Sequence, residues 1–215
     1  PNPSSAGPLS LATLVIMYTL RRSGPLLLGP INRRIYASFA PKEHAFQIAR
    51  REANKRGFGP GSGRLIQLVT DGDNDLDTYA KRYFPEAIHT IDVMHVIEKL
   101  WTAGECIHAE GSHQLTKWVA RQKKRLYAGG AAKIVRELQR HLARTPLTGP
   151  GNKGKRERLA DVIRYIDKRV HRLNYHELLA QDLEIGSGPV EGAVKYVIGK
   201  RCDHGGMRWI KERVE

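Results

Sequence analysis

The apolar positions of this chain recur with two periods. Thr13-Leu-Val-Ile-Met-Tyr-Thr-Leu20 is a β-branched-rich run that predicts a strand. Arg21-Arg-Ser-Gly24 supplies a turn, and Leu26 to Phe39 reads as one or two further strands, so that the whole predicts a hairpin or meander. Pro41 suits a first helical turn, Ala45, Ile48, Ala49 and Ala53 follow at helical spacing, and Gly57 is placed to end that helix. Leu65 to Val69 predicts a short buried strand that delivers Asp71 and Gly72 at its C-terminal end. Leu76, Tyr79, Ala80 and Tyr83 mark a helix over 74–84, stopped by Pro85, and Ala87 to Ile91 predicts a second strand ending at Asp92. Strands alternating with helices predict a mixed α/β sheet with helical cover.

From Val93 to Leu179 the period is helical almost throughout. Val93, Val96, Ile97, Leu100 and Ile107 share one face; Leu115, Trp118, Val119 and Leu126 mark a second helix; Ile134, Val135, Leu138 and Leu142 a third. The loop Thr145-Pro-Leu-Thr-Gly-Pro-Gly-Asn-Lys-Gly154 separates these from a fourth stripe, Leu159, Val162, Ile163, Ile166, Val170 and Leu173. These stripes are core positions. Ile185-Gly-Ser-Gly-Pro-Val-Glu191 then opens a last helix, with Ser187 or Gly188 near its N-cap, Pro189 in the first turn, and Val190, Val194 and Val197 along one face. Glu191 falls in that first turn, where the helix dipole favours a negative charge. Residues 1–10 are Pro/Ser/Gly-rich and are expected to be loose.

Charge adds a second layer. The 215 residues, 40% of them hydrophobic, are enough for one or two domains, and the formal charge is +14. Residues 112–175 hold 17 Lys/Arg against 4 Asp/Glu, whereas the rest of the chain holds 19 against 18. The basicity therefore belongs to one helical segment on an otherwise balanced chain, which points to a polyanion partner. Nucleic acid is the expected partner, with an acidic membrane surface as the alternative and a merely solvated helical surface as the plainer reading. Arg121, Lys123, Lys124, Arg125, Arg136, Arg140, Lys153, Lys155 and Arg156 are the candidate phosphate contacts here, with Lys200 and Arg201 further on. Leu11 to Met17 is too short to span a bilayer. Cys106 and Cys202 have no metal-ligand spacing and fit a reducing cytosol.

Asp71 and Asp92 at two strand ends, with Glu191 at a helix start, form a constellation of hard oxygen ligands suited to Mg²⁺ or Mn²⁺. Two such ions activate an attacking oxygen and stabilise the leaving oxygen of a phosphodiester. Taken singly, Asp71 and Glu191 read equally well as helix caps. His95, three residues after Asp92, is either a site residue or a packed or capping histidine. The run Asp71-Gly-Asp73-Asn-Asp75-Leu-Asp77 fails as a calcium loop, because its glycine is second and its twelfth residue is Arg82. Gly186-Ser-Gly188 resembles a phosphate-cradling turn, which alone is weak evidence. His89, His108, His113 and His204 form no ligand set.

Asp71-Gly…Tyr83-Phe84-Pro85…Ile91-Asp92-Val-Met-His95-Val-Ile-Glu98-Lys-Leu-Trp101, with Ile185-Gly-Ser-Gly-Pro-Val-Glu191-Gly, resembles the ISKra-type insertion-sequence transposases, DDE enzymes related to the Mutator group. Lys200-Arg201 and Gly206-Met-Arg-Trp209 fit the same pattern, and the resemblance runs from about Tyr18 to the end. It implies an RNase H-like mixed sheet with a largely helical insertion. Residues 1–95 would be the first part of that core, 96–180 the basic insertion and 181–215 the closing catalytic helix. It implies that Asp71 is the second catalytic aspartate and Glu191 the closing glutamate, both holding metal, while Asp92 and His95 match the accompanying Asp-x-x-His motif. It further implies two Mg²⁺ (or Mn²⁺) ions, cleavage and strand transfer at transposon ends, a homo-oligomer on DNA, no membrane association, and a bacterial cytoplasmic setting at the nucleoid. The family's first catalytic aspartate lies on an upstream strand. Residues 1–70 contain no aspartate, so the first strand is expected to be lacking and the chain reads as an internal fragment or decayed copy. The alternatives from the residues alone are a non-catalytic DNA-binding remnant and a cellular RNase H-like nuclease or resolvase.

Overall fold

A computed structural model of the chain describes residues 13–193, apart from the side chains of 189–191. The described chain is mixed α/β. By packing the described residues divide into two compact units: one holds residues 13–66, Asn74–Ala87 and residues 188–193, the other Gln67–Asp73 and Ile88–Ser187.

In the first unit, β1 (Thr13–Ser23) and β2 (Leu26–Ser38) form an antiparallel ribbon, with register shifts between Met17 and Thr19 and between Thr19 and Arg21. Such irregularities increase local twist. Helix α1 (Lys42–Lys55) packs on the ribbon and on α2 (Asn74–Tyr83). Phe46 of α1 is buried, 5.7 Å from the Tyr79 ring and 6.5 Å from that of Tyr83. The Arg50 guanidinium lies 4.5 Å over the Phe84 ring and donates to the carbonyls of Tyr83 (3.1 Å) and Phe58 (2.6 Å), so one cation closes the ends of both helices. The short helix α8 (Gly188–Ala193) lies against β1.

In the second unit, β3 (Gln67–Thr70) and β4 (Ile88–Ile91) pair in parallel, from Gln67 opposite Ile88 to Thr70 opposite Ile91. Four helices follow: α3 (Val93–Ile107), α4 (His113–Tyr127), α5 (Ala131–Arg144) and α6 (Asn152–Asp167). Each packs on the next and α6 returns to α3, so they close a ring, with the short helix α7 (Tyr175–Ala180) against α4. The ring is filled by the predicted stripes: Val96 and Leu100, Val119 and Leu126, Ile134 and Leu138, Leu159 and Ile166 are all at or below 1% exposure. Each such side chain contributes about 1.5–3 kcal/mol by leaving water. Gly104 permits the α3–α4 approach, since a Cβ there would lie 2.6 Å from Leu115 Cδ1.

One expectation changes. The single mixed sheet is replaced, among the described residues, by two separate two-stranded sheets, because β1 and β2 satisfy each other locally and β3 pairs with β4. The Asp71 and Asp92 strands go with the helices, since Ile91 and Val93 are part of the helical core. At finer scale, the glycine-rich loop ends at Gly151, and Asn152 to Gly154 form the first turn of α6.

Candidate functional site

Parallel pairing brings the ends of β3 and β4 side by side. The ladder continues one step beyond the strands, with Asp92 N donating to Thr70 O at 2.7 Å, so Asp71 and Asp92 leave the same end of the pair. They have opposite environments. Asp71 is exposed; its Oδ1 accepts from Asp73 N at 2.8 Å, and its other oxygen has no partner among the described residues. Its backbone is clamped from the end of α6: the Tyr165 hydroxyl donates to Asp71 O at 2.7 Å and Arg169 donates to Gly72 O. The Arg169 guanidinium stacks 4.4 Å over the Tyr165 ring, and the residue is 5% exposed. Gly72 is required here, because it sits at φ 84° and a Cβ would lie 2.8 Å from the Tyr165 hydroxyl and 3.0 Å from Arg169 Nε.

Asp92 is buried, and both its oxygens are used. Oδ1 accepts from Met94 N at 2.8 Å, capping α3; Oδ2 accepts from Ser187 N at 3.2 Å and from the Ser187 hydroxyl. Neighbouring bonds stitch the same incoming segment in place. Gln67 donates to Glu184 O (2.6 Å) and accepts from Glu184 N (3.0 Å), and Val93 N donates to Ile185 O (2.8 Å). Asp92 therefore fastens the Gly186-Ser187 turn to the strand ends. His95 is part-exposed on α3, its Nδ1 3.2 Å from Glu98 Oε2. Glu191 lies within α8, but its side chain is outside the described residues, as are Lys200 and Arg201.

As a metal site the described donors fall short. Among the described residues no group of three or more His, Cys, Asp or Glu side chains is placed to hold an ion. Asp71 offers one free oxygen, and the oxygens of Asp92 are committed to hydrogen bonds. These residues do not by themselves fit a two-ion centre.

The cations are sorted by their surroundings. Between His113 and Arg144 there are nine Lys/Arg and a single acid, Glu137. That acid sits between α4 and α5. Its Oε1 accepts from Gln122 (2.8 Å), Trp118 Nε1 (3.0 Å) and Arg121 (3.1 Å), and its Oε2 from Arg125 (2.5 Å). Burial works to raise the Glu137 pKa, but hydrogen bonds from Arg125 and Trp118, with the charges of Arg125 and Arg121, carry it below the ordinary carboxylate value. Arg156 is also committed: it donates to the carbonyls of Leu142 (2.8 Å) and Thr145 (2.6 Å), capping the end of α5. Lys123, Lys124, Arg136, Arg140, Lys153 and Lys155 make no ion pair among the described residues. The geometry adds two cations that the charge count alone does not single out, Lys133 and Arg144. With Arg136 and Arg140 they recur at i, i+3, i+7 and i+11, forming one exposed line down α5 opposite its buried face.

Fold and site together define a mixed α/β protein with paired strand-end aspartates and a cationic helical ring. Comparison of the chain with protein-family models, with curated proteins and with solved structures gives no match. Among the described residues no helix is long and apolar enough to cross a membrane.

Proposed function

We propose that the chain is a DNA-binding core of the DDE transposase type, holding duplex DNA by its phosphates along the outward faces of α4 and α5. One observation carries the reading: nine cations face one acid over these two helices, that acid is enclosed by its own partners, and Lys133, Arg136, Arg140 and Arg144 line one exposed edge. A line of four cations spaced over about 16 Å of helix matches a polyanion with one phosphate per about 3.4 Å of axis on each strand. The transposase class comes from the motif resemblance. Under it Asp71 and Glu191 are the candidate ligands for Mg²⁺ or Mn²⁺, with Asp92 and His95 ordering their surroundings, and cleavage, strand transfer and assembly on transposon ends belong to the same proposal.

DNA binding without cleavage is the second reading, favoured by the commitment of both Asp92 oxygens to Met94 and Ser187. Fluorescence anisotropy with a labelled duplex tests the binding. The four α5 contacts alone predict a log–log salt slope of about −3.6, or an affinity loss of about 150-fold between about 50 and 200 mM salt, and any further phosphate contact steepens it. An affinity independent of salt refutes it. Mg²⁺-dependent nicking of a supercoiled plasmid separates the two readings.

A further inference from the structure

The far half of the β1–β2 ribbon carries an unusual surface. Residues 21–30 are all exposed, and they include Leu26, Leu27 and Leu28 at 63%, 37% and 38% exposure. Arg21 and Arg22 are exposed beside them, Arg33 is exposed further along β2, and Thr13–Ser38 contains no acidic residue. The register distributes these side chains. Arg21 is opposite Leu28 and Arg22 opposite Leu27, while Ser23 is opposite Leu26. Opposed residues share a face and successive residues alternate, so Arg21, Leu26 and Leu28 lie on one face and Arg22 and Leu27 on the other. Each face pairs leucine with arginine.

We propose that this distal ribbon is an arm that enters a groove of duplex DNA, its arginines pairing with phosphates and the leucines beside them packing on sugars and base edges. Mixed faces decide among the possible partners. A two-fold copy of this chain would press two such cationic faces together with no acidic residue on either ribbon to offset them. A lipid surface favours an element with its apolar side chains gathered on one face. A DNA groove presents phosphates on both sides of an inserted ribbon. The major groove, about 12 Å wide, admits a two-stranded ribbon, and apolar side chains also serve as wedges between base steps in the minor groove. The deep, narrow major groove of A-form RNA excludes such an arm. The arm shares its partner with the proposed α5 contact but rests on different residues, and it requires neither metal nor cleavage.

The test uses the full chain with two double variants, Leu27→Ser/Leu28→Ser and Arg21→Ala/Arg33→Ala. These positions are exposed, so the unfolding midpoint should hold; Leu27→Ala is the milder replacement if it falls. Anisotropy is measured with a duplex DNA and a duplex RNA of the same sequence, alongside gel filtration and flotation with phosphatidylglycerol vesicles. The arginine pair is expected to reduce the magnitude of the DNA salt slope by about 1.8. The leucine pair should weaken DNA binding at every salt concentration with the slope kept, and binding to duplex RNA should respond less to both. Wild-type DNA binding by both double variants overturns the arm. So does a leucine effect confined to oligomeric state or to vesicle binding. A wild-type chain with no salt-dependent DNA binding brings down the proposed function as well. Sensitivity to α5 substitutions without sensitivity to these variants removes the arm alone.

Discussion

Glu137→Ala perturbs the seam of the helical ring, and its cost follows from the four donors it strands. Gln122 is 0% and Trp118 4% exposed, so their N–H groups lose an acceptor where water does not replace it. Each such loss costs about 1–3 kcal/mol. Arg121 and Arg125 are more exposed and turn to solvent, so their ion pairs add at most about 1 kcal/mol together. The sum is about 2–7 kcal/mol. Glu137→Gln keeps one carbonyl acceptor and should cost about half as much. Urea unfolding reads this as a midpoint lowered by roughly 1–3.5 M for alanine, taking a slope of about 2 kcal/mol/M. A midpoint shift corresponding to less than about 0.5 kcal/mol refutes the account of the seam. The pH dependence has a definite sign. The folded Glu137 pKa is depressed, so its stabilisation is complete above the unfolded value of about 4.3 and is lost as pH falls through the lower folded value. The gap between wild type and Glu137→Gln should therefore narrow on acidification below about pH 4.3.

Two further substitutions probe the strand ends. Gly72→Ala places a Cβ 2.8 Å from the Tyr165 hydroxyl at a φ of 84°, and should destabilise by about 2–3 kcal/mol, with Tyr165→Phe adding little to it because both break one clamp; thermal unfolding of the double variant shows whether the costs add. Asp92→Ala strips the cap of α3 and the anchor of Ser187, and should cost about 3 kcal/mol, with hydrogen exchange of the Met94 and Ser187 amides speeding most; unchanged protection at Ser187 would mean the turn is held by Gln67 and Val93 alone.

The helices were readable because their apolar positions keep a strict period. Leu115, Trp118, Val119 and Leu126, or Leu159, Val162 and Ile166, are buried as their spacing requires. Asp71 and Asp92 were readable as strand ends because each follows a short apolar run and precedes a helix. What each aspartate does there was not, since Ser187 reaches Asp92 across 95 residues and Tyr165 reaches Asp71 across 94. The available signal was Arg169, a cation on the core-facing stripe between Ile166 and Leu173, where an apolar residue is expected. The charge run identified the basic segment but not its pairings: Arg125 and Arg121 meet an acid on the neighbouring helix, and Arg156 caps α5. Strand pairing was also hidden, because periodicity assigns a strand's faces and leaves its hydrogen-bonded neighbours open.

DNA anisotropy on Lys133→Ala/Arg136→Ala/Arg140→Ala, across a salt series and beside wild type, tests the central claim most directly. These side chains are exposed and unpaired among the described residues, so stability should be retained. Loss of three phosphate contacts predicts a salt slope shallower by about 2.7 and weaker binding at low salt. An unchanged slope with unchanged affinity would contradict the assignment of this helical face to DNA.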